Sequence, residues 1–236
     1  MLKALACDID GTLTDHHRRI DTAAIECLRA LIDRGVLVVL ASGNTVCFLD
    51  ALARSIGTSG PLIAENGGVY RTGYGADLHI FGDRAICWDA YHALETHFAA
   101  RGINLELYSP HLRYSDIAFA RSVPAEEVRA VTEDFPVRVL DTGFAYHIQS
   151  PDFTKGSSLV RLAEDLHLAP HEFMAIGDSE NDIEMIAAAG TGVAVANAHD
   201  GAKAVAAYVA SLKHGAGCVE AIRRYEGSFF TPSSYQ

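Results

Sequence analysis

Asp8 and Asp10, separated by one residue, follow the first apolar segment of the chain, residues 2–7, which is predicted to be a buried strand. Two carboxylates at the exit of a buried strand cost free energy unless a partner compensates their charge. A divalent cation provides such a partner, and Mg²⁺ prefers oxygen ligands in proteins. An aspartate-rich turn around Gly11 is the alternative explanation, because aspartate and glycine are common turn residues.

A second acidic pair follows another apolar run in the second half of the chain. Asp178 and Asp182 come after residues 173–176, a predicted strand, and precede a predicted helix at 183–189. Ser179 could cap this helix through its hydroxyl group, which is a structural explanation for that residue. Capping does not account for the two aspartates, so the two acidic pairs together favour a metal site.

Two further polar residues follow or begin predicted elements. Ser42 comes directly after the β-branched run 36–41, and Lys155 precedes the apolar-periodic segment 159–166. A single lysine is more often a solvated surface residue, and this remains the alternative for Lys155. Together with the acidic pairs, a lysine and a turn of Ser42, Gly43 and Asn44 fit a site that holds Mg²⁺ and a phosphate group.

Predicted strands and helices alternate at the start of the chain. The strands are 2–7, 36–41 and 62–64, and the helices are 22–34, with Asp21 as its N-cap, and 46–56. This βαβαβ order predicts a parallel sheet with right-handed crossovers. Ligands bind beyond the carboxyl ends of strands in such sheets. We therefore expect Asp8, Ser42 and Asp178 to converge.

The alternation is interrupted in the middle of the chain. Residues 69–82 resemble hairpins, and the elements that follow are helices 88–100 and 125–135 and strands 105–108, 114–120, 137–140 and 146–149. Alternation resumes with helix 156–166, strand 173–176, helix 183–189, strand 192–196 and helix 202–210, and residues 227–236 are expected to be poorly ordered. We predict an α/β fold, with a Rossmann-like parallel-sheet core (1–81 and 153–236) and an inserted α+β cap domain (82–152).

The polar residues resemble, in order, the four motifs of the haloacid dehalogenase superfamily of phosphohydrolases. Asp8-x-Asp10-Gly-Thr-Leu-Thr resembles the first motif and Ser42 the second. Lys155 resembles the third motif and Gly177-Asp178-x-x-Asn181-Asp182 the fourth. The insert and the segment Ala64-Glu65-Asn66-Gly67-Gly68 resemble the subfamily with a type-2 α/β cap. Within that subfamily, the chain is most similar to archaeal-type phosphoglycolate phosphatases.

This resemblance implies a Mg²⁺-dependent phosphatase. Asp8 is expected to be the nucleophile that forms an aspartyl-phosphate, and Asp10 the general acid that then activates water. The implied metal ligands are Asp8, the backbone carbonyl of Asp10, Asp178 and Asp182, the last either directly or through a water molecule. An exposed acid favoured by a helix dipole is the alternative for Asp182.

The resemblance also implies the phosphate-binding groups. Ser42, Lys155 and backbone N–H groups near Gly11 and Gly43 are expected to bind the transferred phosphoryl group. Asn181 is expected to add a hydrogen bond. Gly11 and Gly43 could instead be ordinary turn glycines.

Substrate discrimination is expected from the cap. Arg113, Tyr114 and His147 are the candidates for contacting the far end of the substrate, although a strand arginine is more often structural. For 2-phosphoglycolate, the guanidinium of Arg113 would match the carboxylate bidentately. The alternatives are a sugar or polyol phosphate phosphatase and a non-catalytic phosphate-binding protein. Asp10 argues against the second, because binding needs no acid or base.

Composition limits the other possibilities. The chain has 236 residues, 49% of them hydrophobic, and a formal net charge of −11 without a basic run, which disfavours nucleic acid and anionic membranes as partners. The five scattered cysteines form no CxxC pair and are expected to be reduced. Neither a signal peptide nor a membrane-spanning segment is expected, so the predicted location is cytoplasmic. The expected partner is a small phosphorylated metabolite, and a homodimer is one candidate for the oligomeric state.

Overall fold

The computed structural model describes residues 1–230, which form an α/β structure with two sheets, as predicted. The strands are β1 (Ala4–Asp8), β2 (Leu37–Ala41), β3 (Leu62–Ala64), β4 (Val69–Arg71), β5 (His79–Ile80), β6 (Asp116–Phe119), β7 (Arg138–Asp141), β8 (Tyr146–Gln149), β9 (Phe173–Gly177), β10 (Thr191–Ala194) and β11 (Tyr208–Val209). The α-helices are α1 (Thr22–Asp33), α2 (Val46–Ile56), α3 (Arg84–Ala99), α4 (Ala125–Val131), α5 (Lys155–Asp165), α6 (Ile183–Ala188), α7 (Asp200–Val205) and α8 (His214–Phe229).

The larger sheet has eight strands in the order β11-β10-β9-β1-β2-β3-β4-β5. The strands from β11 to β3 are parallel, and β4 and β5 add an antiparallel edge. β1 is central: Cys7 pairs with Leu40 of β2 on one side and with Ile176 of β9 on the other. The carboxyl ends of β2, β1 and β9 therefore lie side by side.

Helices cover both faces of this sheet, and residues 4–7 of its central strand are apolar and buried. Leu5 and Cys7 of β1 face a hydrophobic layer with residues from α1, α2 and α8. Ala4 and Ala6 face the opposite layer, which includes residues of α5 and α6. α1 begins at the predicted cap, where the Asp21 carboxylate accepts hydrogen bonds from the amides of the first helical turn.

The smaller sheet is antiparallel, with the order β6-β8-β7, and lies within the predicted insert. α3 packs on it through a separate hydrophobic cluster that includes Tyr91, Phe98, Phe119 and Ile148. The insert thus has its own core, although the domain boundaries at residues 82 and 152 remain predictions. None of the helices within residues 1–230 has the length and apolar character needed to span a bilayer.

The predicted strand at 105–108 is wrong. This segment forms an isolated bridge between Leu107 and Phe119, and the Tyr108 amide donates to the Ala118 carbonyl. Ser109 then adopts a left-handed conformation with φ of 53°, which directs the chain away from β6 and ends the pairing.

Two further predictions fail near the end of the chain. The predicted helix 202–210 ends at Val205, because the amides of Ala207 and Ala210 bond to carbonyls of Gly192 and Ala194 at the sheet edge. Residues 227–229 belong to α8, which sequence analysis missed because three glycines lower its helix propensity. Positions 231–236 of the predicted disordered tail lie outside the described residues.

Candidate active site

Three neighbouring strands bring Asp8, Ser42 and Asp178 together at the carboxyl ends of the larger sheet's central strands. Asp8 is the last residue of β1, and Ser42 and Asp178 come directly after β2 and β9. Because β1 lies between the other two strands, its carboxylate is at the centre of the group. Gly11 permits this arrangement: its φ of 88° suits glycine, and a Cβ there would collide with the Asp178 carboxylate.

Lys155 is buried near these carboxyl ends, with only 1% of its side chain exposed. The alternative that Lys155 is a solvated surface residue is therefore wrong. As the first residue of α5 it reaches the end of β1, where Nζ donates to Asp8 Oδ1 at 2.7 Å. It also donates to Asp182 Oδ1 at 2.8 Å. One cation therefore contacts two buried carboxylates.

Three aspartates offer a set of ligands for a cation. One carboxylate oxygen from each of Asp8, Asp178 and Asp182 lies within 4.8 Å of the others. Asp8 Oδ2 is buried and has no hydrogen-bond partner among residues 1–230. A buried carboxylate oxygen without a partner is costly, and a hard cation such as Mg²⁺ would satisfy it. The donor set therefore fits the predicted metal.

Asp182 differs from Asp8 because both of its oxygens accept hydrogen bonds. Oδ1 contacts Lys155, and Oδ2 accepts from the backbone amides of Asp178 and Ser179 at 3.1 and 2.9 Å. These bonds fix the loop that carries Asp178, an arrangement that suits a metal contact through water. The Ser179 hydroxyl donates to Asp178 Oδ1 at 3.3 Å, and Ser179 is the N-cap residue of the helical turn at 180–182.

The titration behaviour of the cluster reflects its excess negative charge. Burial, and then the charge of Asp182, raises the pKa of Asp178 to about 7. Burial and the neighbouring aspartates likewise raise the pKa of Asp8 well above its usual range. Although burial opposes it, the attraction of Asp182 and Asp8 raises the pKa of Lys155. A bound divalent cation would reverse the shifts of the carboxylates, because metal ligation favours the ionised form.

Asp10 lies outside this cluster, and its side chain is 20% exposed. Its Oδ2 accepts hydrogen bonds from Asn44 Nδ2 at 2.6 Å and from Ser42 Oγ at 3.5 Å. Its Oδ1 lies 3.9 Å from Nε of Arg18. No hydrogen bond to the Asp10 carbonyl oxygen is found within residues 1–230, which leaves it available as a ligand.

The two predicted phosphate-binding glycines differ. The Gly11 amide donates to Thr14 Oγ1 at 3.2 Å and is therefore occupied. The Gly43 amide makes no hydrogen bond within the described part of the chain. Asn181 is held by Asn66, to whose Oδ1 it donates from Nδ2 at 2.8 Å. The Oδ1 atom of Asn181 is buried without a partner in residues 1–230.

A cavity of about 360 Å³ lies between the carboxyl ends of the central strands and the insert. The predicted site residues Asp8, Asp10, Ser42, Gly43, Asn181 and Arg113 line it, whereas Lys155, Asp178 and Asp182 do not. The insert also contributes His147 and Phe144. Tyr114 is not among the lining residues and is 47% exposed, so the structure does not bring it to the site.

Arg113 is buried and makes several contacts with the protein. Its Nη1 donates to Asp116 Oδ1 at 2.7 Å and to the Gly43 carbonyl at 3.2 Å, and its Nε donates to the Tyr108 carbonyl at 3.1 Å. His147 Nδ1 donates to the other oxygen of Asp116 at 2.8 Å. Burial alone would raise the pKa of Asp116, but Arg113 and His147 lower it below its usual value. Arg113 Nη2 makes no hydrogen bond within residues 1–230.

Sequence analysis missed two residues that support the acidic cluster from the end of the chain. Asn197 Nδ2 donates to the Gly11 carbonyl at 2.9 Å and to Asp178 Oδ2 at 3.2 Å. Its Oδ1 accepts from the His214 amide at 2.7 Å. Asn197 follows β10 by three residues, so the rule that placed Asp8 at a strand end could have found it. No sequence signal marks His214.

Glu65 is a further omission, because sequence analysis named its segment only for its resemblance to the subfamily. The segment forms a turn after β3, with left-handed φ angles at Glu65 and Asn66. The buried Glu65 carboxylate also accepts hydrogen bonds from the amides of Tyr114 and Ser115 and from Ser115 Oγ. It therefore connects the core to the insert. Burial, and then the charge of Asp116, raises the pKa of Glu65 to about 7.

Comparison with known proteins agrees with this geometry. A family model described as haloacid dehalogenase-like hydrolase matches residues 5–118 and 121–222. The chain is 52% identical to a phosphoglycolate phosphatase of Methanoculleus marisnigri over 98% of this chain and 100% of that one. It is 50% identical to a phosphoglycolate phosphatase of Methanospirillum hungatei over 95% of this chain and 97% of that one.

A solved structure gives the same result at the level of the fold. A crystal structure of a Thermoplasma acidophilum protein superposes with a TM-score of 0.84 at 27% identity, covering 96% of this chain and 99% of that one. The resemblance stated from the four motifs is therefore confirmed, as is the prediction of an enzyme. The chain belongs to the haloacid dehalogenase-like hydrolase family.

Proposed function

We propose that the protein is a Mg²⁺-dependent phosphomonoesterase that hydrolyses 2-phosphoglycolate to glycolate and phosphate through an aspartyl-phosphate on Asp8. The observation that carries this proposal is the Asp8 carboxylate, buried at a strand end with one unpartnered oxygen among residues 1–230 and beside two further aspartates. The names of the relatives from two methanogens support the choice of substrate.

Asp8, Asp178 and the Asp10 carbonyl would hold Mg²⁺, with Asp182 contributing through water. Mg²⁺, when bound, screens the charge of Asp8 from an anionic phosphate and stabilises negative charge that develops on the phosphoryl oxygens. The excess of carboxylates over lysine in the cluster supports this assignment.

The phosphoryl group would be bound by Ser42, the Gly43 amide, Lys155 and Asn181. The unused amide of Gly43 supports its assignment, because an N–H group can donate to a phosphoryl oxygen. Lys155 contacts the nucleophile directly, so it can also orient the Asp8 carboxylate for attack.

The roles of the two aspartates follow from their positions, since Asp8 is buried in the cluster and the Asp10 side chain is partly exposed. An Asp8 oxygen attacks phosphorus, the bond between phosphorus and the leaving oxygen breaks, and Asp10 gives that oxygen a proton. Asp10 then takes a proton from the water that attacks phosphorus, and the bond to Asp8 breaks. Asp10 suits this role because it faces the cavity and is held by Asn44 and Ser42.

The cap would contribute one contact to the carboxylate of the substrate. Arg113 lines the cavity, and its Nη2 is the nitrogen left for this contact. Its other nitrogens already bond to the protein. The cytoplasmic location and the homodimer stay predictions.

Asp10→Asn assayed with p-nitrophenyl phosphate tests the covalent route. This ester has a good leaving group and needs little acid catalysis, so phosphorylation of Asp8 should proceed while its hydrolysis, which needs a base, becomes slow. We expect a burst of p-nitrophenolate equal to the enzyme concentration, followed by slow turnover, and acid-quenched protein carrying hydroxylamine-sensitive phosphate. Slow turnover without a burst or labelled protein would contradict the aspartyl-phosphate.

A phosphate-release panel tests the substrate. With Mg²⁺, the wild-type enzyme should hydrolyse 2-phosphoglycolate with a higher kcat/KM than 2-hydroxyethyl phosphate, which replaces the carboxylate by a hydroxymethyl group, and than sugar or polyol phosphates. A preference for a sugar or polyol phosphate would replace 2-phosphoglycolate as the substrate while leaving the phosphatase chemistry in place.

A further inference from the structure

A hairpin after β1 presents Arg18 to the cavity. Its two arms meet at a bridge between Thr14 and Ile20. The Asp15 carboxylate fixes the turn, because it accepts hydrogen bonds from the amides of His17 and Arg19 and from the Arg19 guanidinium. Arg18 itself has a left-handed backbone with φ of 60°. Such a conformation is unfavourable for arginine and persists only where the surroundings determine it.

The Arg18 guanidinium lies between the core and the insert. Its central carbon is 4.6 Å from the centroid of the Phe144 ring, which belongs to the insert. Its Nε is 3.9 Å from Asp10 Oδ1, and both Arg18 and Phe144 line the cavity. The side chain is 52% exposed and makes no hydrogen bond to the protein within residues 1–230. Its donors are therefore available to a ligand.

The two lining arginines differ in how far their charge is already compensated. Arg113 is buried against Asp116, with a separation of 2.7 Å, and three of its hydrogen bonds go to the protein. Among residues 1–230, the one ion pair of Arg18 is the longer contact with Asp10, at 3.9 Å. An incoming anion therefore gains more from Arg18, because less of its charge is neutralised and its planar fork is free for bidentate binding.

We propose that Arg18 binds the carboxylate of the substrate and is the main determinant of specificity for a carboxylate-bearing phosphate ester, with Arg113 Nη2 on the opposite wall. This proposal rests on the proposed function. The Phe144 ring supports the guanidinium by stacking and keeps its fork directed into the cavity. Because Arg18 belongs to the core and Phe144 to the insert, binding of the carboxylate also stabilises their contact across the cavity.

The test compares kcat/KM for 2-phosphoglycolate and for 2-hydroxyethyl phosphate, with saturating Mg²⁺, in the wild type and three variants. Arg18→Ala removes the guanidinium, and Arg18→Lys keeps the charge but loses the fork. Arg101→Ala is the matched control: Arg101 also stacks on a phenylalanine of the insert, at 4.9 Å, and is 47% exposed, but it does not line the cavity.

We expect Arg18→Ala to lower kcat/KM for 2-phosphoglycolate by about 10- to 100-fold, mainly through KM, the range for lost hydrogen bonds to a charged group. The value for 2-hydroxyethyl phosphate should change by less than about threefold. Arg18→Lys should fall between wild type and Arg18→Ala, and Arg101→Ala should resemble wild type.

Equal losses on both substrates would overturn the proposal, because Arg18 would then act through Asp10. Full retention of the preference in Arg18→Ala would also overturn it while leaving 2-phosphoglycolate as the substrate. A wild-type enzyme without any preference for the carboxylate would overturn both this proposal and the assignment of 2-phosphoglycolate, but not the phosphatase chemistry.

Discussion

The core and the insert each contain a buried ionic cluster, and the two clusters differ in charge balance. In the core, three aspartates face one lysine; in the insert, Asp116 lies between Arg113 and His147. The carboxylate pKa values accordingly move in opposite directions, upward for Asp8 and Asp178 and downward for Asp116. Burial acts in the same direction on all of them, so the number of neighbouring charges decides the outcome.

This difference separates a site that needs a ligand from one that is complete in itself. The core cluster has an unpartnered oxygen on Asp8 among the described residues. In the insert, both oxygens of Asp116 have charged or polar partners. Replacing a carboxylate should therefore relieve the first cluster and damage the second.

The largest expected effect is that of Asp8→Asn on activity. It should reduce phosphate release by about 10⁴-fold or more, since it removes the nucleophile. The thermal midpoint should not fall, because one negative charge leaves a crowded cluster and Lys155 retains Asp182. Phosphate release and thermal unfolding measure the two effects. Substantial residual turnover would contradict the assignment of Asp8.

The same change in the insert should act on stability. Asp116→Asn leaves the Arg113 guanidinium buried without its counter-charge, and removal of one partner from a buried pair typically costs about 3–5 kcal/mol. Urea unfolding of the variant and the wild type measures this free energy. An Asp116→Asn protein as stable as the wild type would mean that the ion pair between Asp116 and Arg113 does not stabilise the fold.

A metal titration sharpens the comparison. EDTA should abolish activity and Mg²⁺ restore it, and Asp178→Ala should raise the Mg²⁺ concentration for half-maximal activity by about 10- to 100-fold, because a hard cation loses a carboxylate ligand. Mg²⁺ binding should also stabilise the folded protein, which gives a second readout. A ligand at 100 times its Kd stabilises the folded state by about 2.7 kcal/mol. Arg101→Ala, outside both clusters, serves as the control. Wild-type rates that chelation leaves unchanged would exclude the metal mechanism.

The smallest expected effect concerns Glu65, which joins the two regions. Its pKa is raised to about 7 in the folded protein, so between the unfolded value of about 4.5 and 7 the folded state holds a proton that the unfolded chain has released. The free energy of unfolding therefore falls as pH rises through this range.

Glu65→Gln removes this titration. Relative to the variant, the wild type should lose about 1–3 kcal/mol of stability between about pH 5 and pH 8, as measured by urea unfolding at both values. Asp116 faces Glu65 and increases the effect, whereas the amides of Tyr114 and Ser115 oppose it. A difference between wild type and variant that does not change with pH would contradict the raised pKa.

Much of the fold could be predicted because local pattern and tertiary environment agree. α2 and β3 have the predicted bounds, since an amphipathic helix ends at Gly57 and a fully buried strand follows. α8 was missed because packing of Cys218 and Ile222 against the core outweighs the low propensity of its glycines.

Within the candidate site, only the residues that follow parallel strands could be grouped from the sequence. The carboxyl ends of parallel strands meet, so Asp8, Ser42 and Asp178 could be grouped before the structure was known. Burial of Lys155 and the contact of Arg18 with Phe144 depend on packing between segments far apart in sequence. Residue type and spacing carry no information about such contacts.

The central place of β1 has a consequence for synthesis of the protein. Its first neighbour, β2, leaves the ribosome soon after it, but its second, β9, emerges only after the whole insert. A nascent chain therefore exposes one unpaired edge of β1, which favours aggregation or chaperone binding in this interval. Because Lys155 must reach Asp8 from beyond the insert, an incomplete chain that stops within the insert has no assembled catalytic site.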